Sequence, residues 1–215
     1  MSTTDIVLVG GGGFAAEIVT YLLDLPEGPR IKGVLDISPP RQDFSFTIPW
    51  LGSEQTYKPD ASDMFLVALG EPLARRKAVK LISQRGGQFY TLIHPTAYVA
   101  STAVIEAGAI ICPFAFVGPC AHVGEHAVAN VRSTIGHHAK VGRFAVLSPH
   151  TNLNGFSAAG EGSFLGTNAV LTPKAQAGAY SKLAVGAVLS GEAQDGSLIV
   201  GNPGKGRVMF KRPVD

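Results

Sequence analysis

The stretch that decides the fold is residues 98–193, which divide without insertion into 16 hexapeptides. They read YVASTA VIEAGA IICPFA FVGPCA HVGEHA VANVRS TIGHHA KVGRFA VLSPHT NLNGFS AAGEGS FLGTNA VLTPKA QAGAYS KLAVGA VLSGEA. The second position is Val, Ile or Leu in 13 hexapeptides and Ala in three, and the sixth is Ala, Ser or Thr in all 16. Hexapeptide repeats are typical of parallel β-helices, in which each repeat buries its apolar face by stacking on its neighbours.

The repeat also predicts how the chain turns. We expect three hexapeptides to close one triangular coil of 18 residues, which gives just over five coils. The aliphatic second positions would then point inward and stack about 4.8 Å apart, the spacing of adjacent strands, while the small sixth position lets the chain turn each corner. Gly or Asn often follows the aliphatic residue, which suggests a turn that needs backbone freedom. These residues are Gly118, Gly124, Asn130, Gly136, Gly142, Asn154, Gly160, Gly166 and Gly178.

The first 95 residues have a different pattern, in which strands alternate with helices. A buried strand at residues 6–9 precedes four glycines and a segment with helical apolar spacing from Phe14. Further strands are predicted at residues 31–36, 64–69 and 88–93, with a second helix at residues 73–83. This alternation indicates an α/β unit with a parallel sheet. The predicted domains are therefore residues 1–95, the β-helix at residues 96–199 and a tail at residues 200–215.

Composition excludes several classes of protein. The 215 residues carry a net charge of +2 and are only 16% charged, so nothing favours a nucleic-acid or acidic membrane partner. The sequence has no apolar run near the roughly 18 residues of a membrane span, and its first residues lack the basic flank of a signal peptide. Cys112 and Cys120 form neither a CxxC motif nor a disulfide framework. We therefore expect a cytoplasmic protein.

Several motifs resemble one enzyme family over nearly the whole chain. They are the glycine turn at residues 10–13, Leu69-Gly70 with Arg75, LIHPTA at residues 92–97, the Gly136-His137 step and VGNPGK at residues 200–205. Together with the hexapeptides they resemble the left-handed β-helix sugar O/N-acyltransferases, which include the bacillosamine, perosamine and sialic acid acetyltransferases. The resemblance implies an N-terminal Rossmann-like half domain, a left-handed β-helix and a homotrimer with active sites between subunits. It also implies acetyl transfer from acetyl-CoA to the amine of a nucleotide-linked amino sugar.

The resemblance implies that His137 is the general base, because the family places its catalytic histidine in a Gly-His-Asp/Glu step. Histidine suits this task because it ordinarily titrates near neutral pH. His138 departs from the pattern, standing where an acidic residue would orient the imidazole, and a neutral imidazole lacks the charge that stabilises an imidazolium. Either another group orients His137 or its basicity is lower than usual. Glu125 and Glu161 occupy the same hexapeptide position as His137 on another face, so they would reach it only across a subunit boundary.

The glycine turn predicts a nucleotide site. Glycines after a strand allow a ligand close to the backbone, and the following helix N-terminus favours its negative charge. The residues that the resemblance implies for the nucleotide sugar are Gly10, Gly12, Gly13, Phe14, Asp36, Gly70 and Arg75. Asp36 would bond the ribose or base, and Phe14 replaces a histidine frequent in the family. Two alternatives are a dinucleotide fold, for which 95 residues are too few, and glycines that only make a tight turn.

The later coils are expected to hold acetyl-CoA. By resemblance the pantetheine arm would follow the groove between β-helices, near Gly142, Gly166, Thr167, Val185 and Gly186. Val146 stands where many relatives have a CoA-contacting histidine. Lys205, with Arg207, Lys211 and Arg212, would meet the CoA phosphates, unless this is only a solvated basic tail.

Other chemistries are less well supported by the sequence. A metal site between subunits is one alternative: Cys120 and His138 are three hexapeptides apart and would stack, but His126 and His150 lie on other faces, so only two of the three ligands that such a site needs share a column. Neither cysteine shares the hexapeptide position of His137, which favours direct attack by the amine over an acyl-enzyme. A sugar O-acetyltransferase without a nucleotide pocket, and a non-catalytic solenoid scaffold, remain as alternatives.

Overall fold

The structure is a computed structural model that describes residues 4–39 and 47–210. The chain divides into two compact units, Met1–Leu92 and Ile93–Asp215. Neither of the two helices in the described residues is long and apolar enough to cross a membrane.

The first unit contains a small parallel sheet with two helices. Its elements are β1 (Asp5–Val9), α1 (Gly13–Leu23), β2 (Arg30–Leu35), β3 (Asp63–Val67), α2 (Pro72–Ser83) and β4 (Gln88–Phe89). The strands pair in the order β2-β1-β3-β4, all in parallel. Because β2 lies on one side of β1 and β3 on the other, the strand order reverses at β1. Open α/β sheets bind ligands outside the carboxyl ends of their strands at such a reversal.

Each helix buries one apolar face. In α1 the buried residues are Ala15, Ile18, Val19 and Leu22, the spacing of an amphipathic helix. Helix α2 begins at Pro72, and the side chain of Glu71 accepts a hydrogen bond from the backbone N–H of Ala74 at 2.7 Å. Proline at the first position and an acceptor at the cap are both typical of helix N-termini.

Short strands at a regular hexapeptide spacing build the second unit. The regular ones each begin at the first position of a hexapeptide. They are β6 (Tyr98–Val99), β7 (Val104–Ile105), β8 (Ile110–Ile111), β9 (Phe116–Val117), β10 (His122–Val123), β11 (Val128–Ala129), β12 (Thr134–Ile135), β13 (Lys140–Val141), β14 (Val146–Leu147), β15 (Asn152–Leu153), β16 (Ala158–Ala159), β17 (Phe164–Leu165), β18 (Val170–Leu171), β19 (Gln176–Ala177), β20 (Lys182–Leu183) and β21 (Val188–Leu189). The series is preceded by β5 (Leu92–Ile93) and followed by β22 (Glu192–Ala193), β23 (Ser197–Val200) and β24 (Lys205–Val208).

Every third strand pairs in parallel, so three sheets form the walls of one solenoid. Within the described part of the chain, two of these sheets have six strands and the third, which runs from β5 to β24, has eight. Val123 lies opposite Val141 and Ile135 opposite Leu153, so each residue pairs with the one three hexapeptides later. The prediction of a parallel β-solenoid with three hexapeptides per coil is confirmed. The predicted strand at residues 88–93 is wrong in extent, because β4 ends at Phe89 and β5 belongs to a solenoid sheet.

The solenoid core is made by the second and sixth positions of the hexapeptides. Second-position residues such as Ile111, Val123 and Ile135 are fully buried, and so are sixth-position residues such as Ala127 and Ala139. Burying an aliphatic side chain the size of Val or Ile contributes about 1.5–3 kcal/mol. The columns of aliphatic residues therefore hold successive coils together.

A left-handed backbone recurs at the fifth position of the hexapeptide. From Gly108 to Gly186, the residue at every fifth position has φ between 54° and 71°, and most of these residues are not glycine. The expectation that the glycines after the aliphatic residue supply this freedom is wrong, because none of them has a positive φ. A Cβ at Gly160 would instead lie 2.6 Å from the backbone nitrogen of Ala179. These positions are glycine because adjacent coils approach closely there.

The last coil is shorter than the others. Residues 188–193 match the hexapeptide pattern, yet they contain both β21 and β22. Gln176 therefore pairs with Glu192, and not with Gln194, which lies three hexapeptides after it. Gly191, with φ of 79°, provides the tight connection between the two strands.

The chain continues into an antiparallel hairpin. Strand β24 pairs with β23, with Ser197 opposite Val208 and Val200 opposite Lys205. The segment predicted as a tail thus contains a strand within its described part. Lys211 and Arg212, which were expected near CoA phosphates, lie outside the described residues.

The close approach of coils predicts a stability effect at Gly160. Gly160→Ala should lower the free energy of unfolding by about 1–3 kcal/mol, because the new methyl group meets backbone atoms that have no room to move. Gly206→Ala is a matched control, since a Cβ there meets its nearest neighbour at 3.7 Å. Urea denaturation of both variants tests this, and equal stability of the two would contradict the packing argument.

Candidate functional site

A cavity of about 360 Å³ opens at the carboxyl end of the sheet in the first unit. Its walls come from the ends of β1 and β2, the residue two positions after β3, helix α2 and residues 54–55. They are Val9, Gly10, Leu35, Asp36, Ile37, Glu54, Gln55, Leu69, Ala74, Lys77, Ala78 and Leu81. The volume lies in the range of small-molecule sites, about 300–1,000 Å³.

The turn after β1 holds Asp36 at the cavity wall. Gly10 has φ of 98°, and a Cβ on it would lie 2.6 Å from Cδ2 of Leu69, so the fold itself requires glycine there. The backbone N–H of Gly11 donates to Oδ2 of Asp36 at 2.6 Å, and that of Ile37 donates to Oδ1 at 2.6 Å. Two backbone donors thus fix the carboxylate.

Gly12 and Gly13 are different, because the fold does not require glycine at either position. Both are exposed, neither has a positive φ, and a Cβ on either meets nothing within 4 Å. Gly12 caps α1 without a side-chain hydrogen bond. The first N–H groups of a helix have no partner within it and carry partial positive charge. This arrangement suits an anionic ligand that approaches the backbone closely.

The predicted nucleotide residues are only partly brought together. Gly10 and Asp36 line the cavity, while Phe14 is half-buried in the first turn of α1. Gly70 is exposed, three positions after the end of β3, with open space beside it. Arg75 departs from the expectation, since its side chain is 0% exposed on the inner face of α2 and is not part of the cavity wall.

Sequence reasoning missed three polar residues of the cavity wall. Lys77 belongs to the face of α2 that also carries Ala74, Ala78 and Leu81, and helical spacing from Gly70 onward would have identified that face. Glu54 and Gln55 come from an irregular segment, so no periodic signal marks them.

The segment that carries Glu54 and Gln55 is tied down by Arg85. The guanidinium of Arg85 donates to the backbone oxygen of Glu54 at 2.6 Å, and also to that of Gln55. A longer bond of 3.4 Å reaches the backbone oxygen of Tyr57. This part of the cavity wall is therefore held in place from the end of α2.

A buried ion pair anchors the same segment from β2 and β3. Nζ of Lys32 lies 2.7 Å from Oδ1 of Asp63 and 2.6 Å from Oδ2 of Asp60. Oδ2 of Asp63 also accepts from the Tyr57 hydroxyl at 2.8 Å. Burial alone would raise the pKa of Asp63, but the hydrogen bond from Lys32 and those from Asp60 N–H and Tyr57 hold it below its ordinary value. Burial likewise opposes the charge of Lys32, yet bonds to Asp60 and Asp63 raise its pKa.

In the second unit, His137 and His138 lie together at a solenoid corner. Nδ1 of His137 is 3.3 Å from Nδ1 of His138, and both side chains are exposed. His138 has φ of 58°, one of the left-handed corner residues. The ring of Phe156, one coil further, stacks on His138 at 4.7 Å between centroids with 17° between planes. The same ring packs edge-on against His137, with 5.1 Å between the ring centroids and 86° between the ring planes.

Gly155 leaves the space that the His137 ring occupies. A Cβ on Gly155 would lie 2.5 Å from Nε2 and 2.6 Å from Cε1 of His137. Sequence reasoning missed both Gly155 and Phe156. The three-hexapeptide coil was the available signal, because these residues hold the places of His137 and His138 one coil later.

Of the two acidic residues considered as partners of His137, Glu161 is engaged elsewhere within its own chain. Oε2 of Glu161 pairs with Nε of Arg143 at 3.0 Å, and Oε1 accepts from the hydroxyl of Tyr180 at 2.7 Å. Across residues 4–39 and 47–210, no group of three His, Cys, Asp or Glu side chains is placed to hold a metal ion.

The residues expected to hold CoA lie along the later coils. Gly142 and Gly166 are packed against the next coil. A Cβ on Gly142 would lie 2.5 Å from the backbone nitrogen of Glu161, and a Cβ on Gly166 would lie 2.8 Å from that of Val185. The N–H of Gly186 donates to the oxygen of Thr167 at 2.9 Å. Val146 is buried, whereas Val185 and Lys205 are exposed; these two remain accessible to a ligand.

The fold of this chain is similar to the folds of several solved acetyltransferase structures. No protein-family model matches the sequence, and no curated protein sequence matches it significantly. A mutant form of perosamine N-acetyltransferase from Caulobacter crescentus, in complex with CoA and GDP-perosamine, is similar with a TM-score of 0.87. The identity is 24%, over 94% of this chain and 96% of that one.

Two further solved structures are similar along their whole length. The acetyltransferase domain of PglB from Neisseria gonorrhoeae FA1090, in complex with acetyl coenzyme A, gives a TM-score of 0.87 at 24% identity. WeeI from Acinetobacter baumannii AYE gives 0.82 at 22% identity. Each match covers 95% of this chain and 100% of the other. The predicted resemblance to hexapeptide-repeat sugar acyltransferases is thus confirmed at the level of the fold.

The ion pair behind the cavity predicts a pH-dependent stability. Asp63→Asn should lower the free energy of unfolding by about 3 kcal/mol at pH 7, because it leaves the Lys32 charge without its buried partner. The pKa of Asp63 is lower in the folded protein than in the unfolded chain. Its contribution to the free energy of unfolding is therefore fully present above the ordinary aspartate pKa of about 3.9, and it is lost as pH falls through the pKa of the folded protein.

Asp60→Asn is the matched control for this measurement. It breaks the other Lys32 pair, but the Asp60 side chain is 69% exposed, so the cost should be about 0–1 kcal/mol. Chemical denaturation between pH 3 and pH 7 compares the two variants, with pH 3 taken as roughly one unit below the ordinary aspartate pKa. A cost for Asp63→Asn that does not shrink toward acid pH would contradict the assignment.

Proposed function

We propose that the chain is an acetyl-CoA-dependent N-acetyltransferase that acts on the amine of a nucleotide-linked amino sugar. The observation that carries this proposal is the likeness, along 94% and 95% of the chain, to structures with CoA and GDP-perosamine or with acetyl coenzyme A. Among those neighbours are forms of perosamine N-acetyltransferase in which a histidine is replaced by asparagine or alanine. A 4-amino-4,6-dideoxyhexose is the favoured acceptor.

The nucleotide binds, in this proposal, in the cavity of a Rossmann-like half domain at residues 1–95. The diphosphate meets the start of α1 at Gly12 and Gly13, where the backbone is exposed and its partial charge is positive. Asp36 faces the ribose or base from the wall, and Lys77 and Glu54 add a donor and an acceptor there. A sugar O-acetyltransferase that uses no nucleotide would leave this cavity without a role.

Acetyl-CoA binds along the solenoid in this proposal. Residues 96–199 form a left-handed β-helix that assembles as a homotrimer, and the pantetheine arm follows the groove between two subunits. Val185 and Lys205 are exposed and thus able to contact it. Neither Cys112 nor Cys120 forms a disulfide, which suits the reducing cytoplasm, where we expect the protein to act.

His137 acts as the general base in the transfer. The sugar amine attacks the thioester carbonyl carbon, and its proton passes to Nε2 of His137 as the new C–N bond forms. The C–S bond then breaks, and the proton goes from His137 to the departing sulfur, which gives the amide and free CoA. Cys112 is fully buried, so it is not available as an acyl carrier.

Acetyl transfer is tested with purified protein, acetyl-CoA and a panel of UDP-, dTDP- and GDP-linked amino sugars. We expect one donor–acceptor pair to give a product heavier by one acetyl group, measured by mass spectrometry.

His137→Gln should lower kcat by about 100-fold or more, because general-base catalysis contributes about 10²–10⁴-fold. His150→Gln is the control, since His150 is an exposed histidine at another corner. No product with any sugar, or equal loss in both variants, would contradict the proposal.

Nucleotide binding is tested separately with Gly13→Ala. The added methyl group occupies the space where the diphosphate would approach, so the affinity for the nucleotide should fall about tenfold, or about 1.4 kcal/mol. The free energy of unfolding should stay the same or rise by up to about 1 kcal/mol, because alanine favours a helix over glycine. Calorimetric titration and urea denaturation measure the two effects. Unchanged affinity would place the phosphates elsewhere.

A further inference from the structure

The ring of Phe156 contacts both rings of the histidine pair. Its ring lies face to face with His138 and edge-on to His137. Its side chain is half exposed, at 50%, and both histidine side chains that it contacts are exposed. Its backbone N–H also donates to the oxygen of His137 at 3.1 Å, so the two residues are joined across the coils.

The contact between the two imidazoles limits where their protons sit. A hydrogen bond between Nδ1 of His137 and Nδ1 of His138 needs one of these nitrogens to be protonated and the other to be unprotonated. A base that accepts a proton at Nε2 must carry its hydrogen on Nδ1. His137 is then the donor, and His138, with hydrogen on Nε2, is the acceptor. The same hydrogen bond survives when His137 becomes an imidazolium.

We propose that Phe156 is a positioning residue that holds His138 as the hydrogen-bond acceptor of His137, in the place that an acidic residue would otherwise take. The stacked ring fixes the plane of His138, and its edge limits rotation of His137. Gly155 completes the arrangement by leaving room for the His137 ring. The catalytic part of this proposal rests on the proposed function, whereas the arrangement of the pair does not.

Imidazole ¹⁵N–¹H NMR of the full chain, without any substrate, tests the arrangement. In the unchanged protein we expect hydrogen on Nδ1 of His137 and on Nε2 of His138. Phe156→Leu should abolish this fixed pattern and give averaged signals for both rings, while Phe156→Tyr should keep it. Phe114→Leu is the matched control, because Phe114 is an exposed left-handed residue at the same hexapeptide position and should leave both rings unchanged.

Gly155→Ala tests the same arrangement without touching Phe156. Its methyl group would displace the His137 ring, so the His137 signals should shift while those of His138 shift less. Circular dichroism confirms that each variant is folded. An unchanged pattern of protonation in Phe156→Leu would overturn the proposal, and unshifted His137 signals in Gly155→Ala would contradict the role of Gly155.

Steady-state kinetics add a readout that a purely structural role would not move. Phe156→Leu should lower kcat about tenfold and leave KM within about twofold, since it disturbs the base and not the binding sites. Phe156→Tyr should restore kcat. Loss confined to KM would overturn the positioning role. If NMR reveals the fixed pair but no sugar is acetylated, the arrangement stands and the proposed function fails.

Discussion

A left-handed backbone at the fifth position of the hexapeptides, from Gly108 to Gly186, is the constraint on which the solenoid depends. At these corners the N–H points to the preceding coil: that of His138 donates to the oxygen of Pro119, and that of Tyr180 to the oxygen of Glu161. Each bond therefore joins one coil to the coil before it. A non-glycine residue in this conformation costs about 1–2 kcal/mol, and one hydrogen bond returns about 1 kcal/mol. The buried aliphatic columns must supply the remainder.

The corners also decide which side chains meet. Fifth-position residues one coil apart stand above one another, and the ring pairs His126–Phe144 and His138–Phe156 both arise in this way. The first pair is buried and the second is exposed. The same stacking rule thus yields a structural contact at one corner and a chemically accessible one at another.

The sequence predicts the repeating part of the structure well, because one periodic pattern carries both the strand spacing and the inward residues. The prediction fails where residues match the hexapeptide pattern but have a different structural role. Residues 188–193 match the hexapeptide yet form a shortened coil. The glycines that follow the aliphatic residue are required by close contact with the neighbouring coil and not by a positive φ. In the first unit, periodicity locates the glycine turn and Asp36. It does not place Arg75, which the family resemblance implies as a ligand-binding residue but whose side chain is buried in α2.

The antiparallel hairpin at residues 197–208 has a consequence for association. A parallel solenoid that ended on an unpaired strand would offer its backbone groups to another copy in register, as a growing filament does. Strand β24 occupies the β23 edge with reversed direction, and Lys205 and Arg207 are exposed on it. Charged side chains on an outermost strand discourage edge-to-edge pairing. The hairpin thereby blocks further strand pairing at the end of one of the three solenoid sheets.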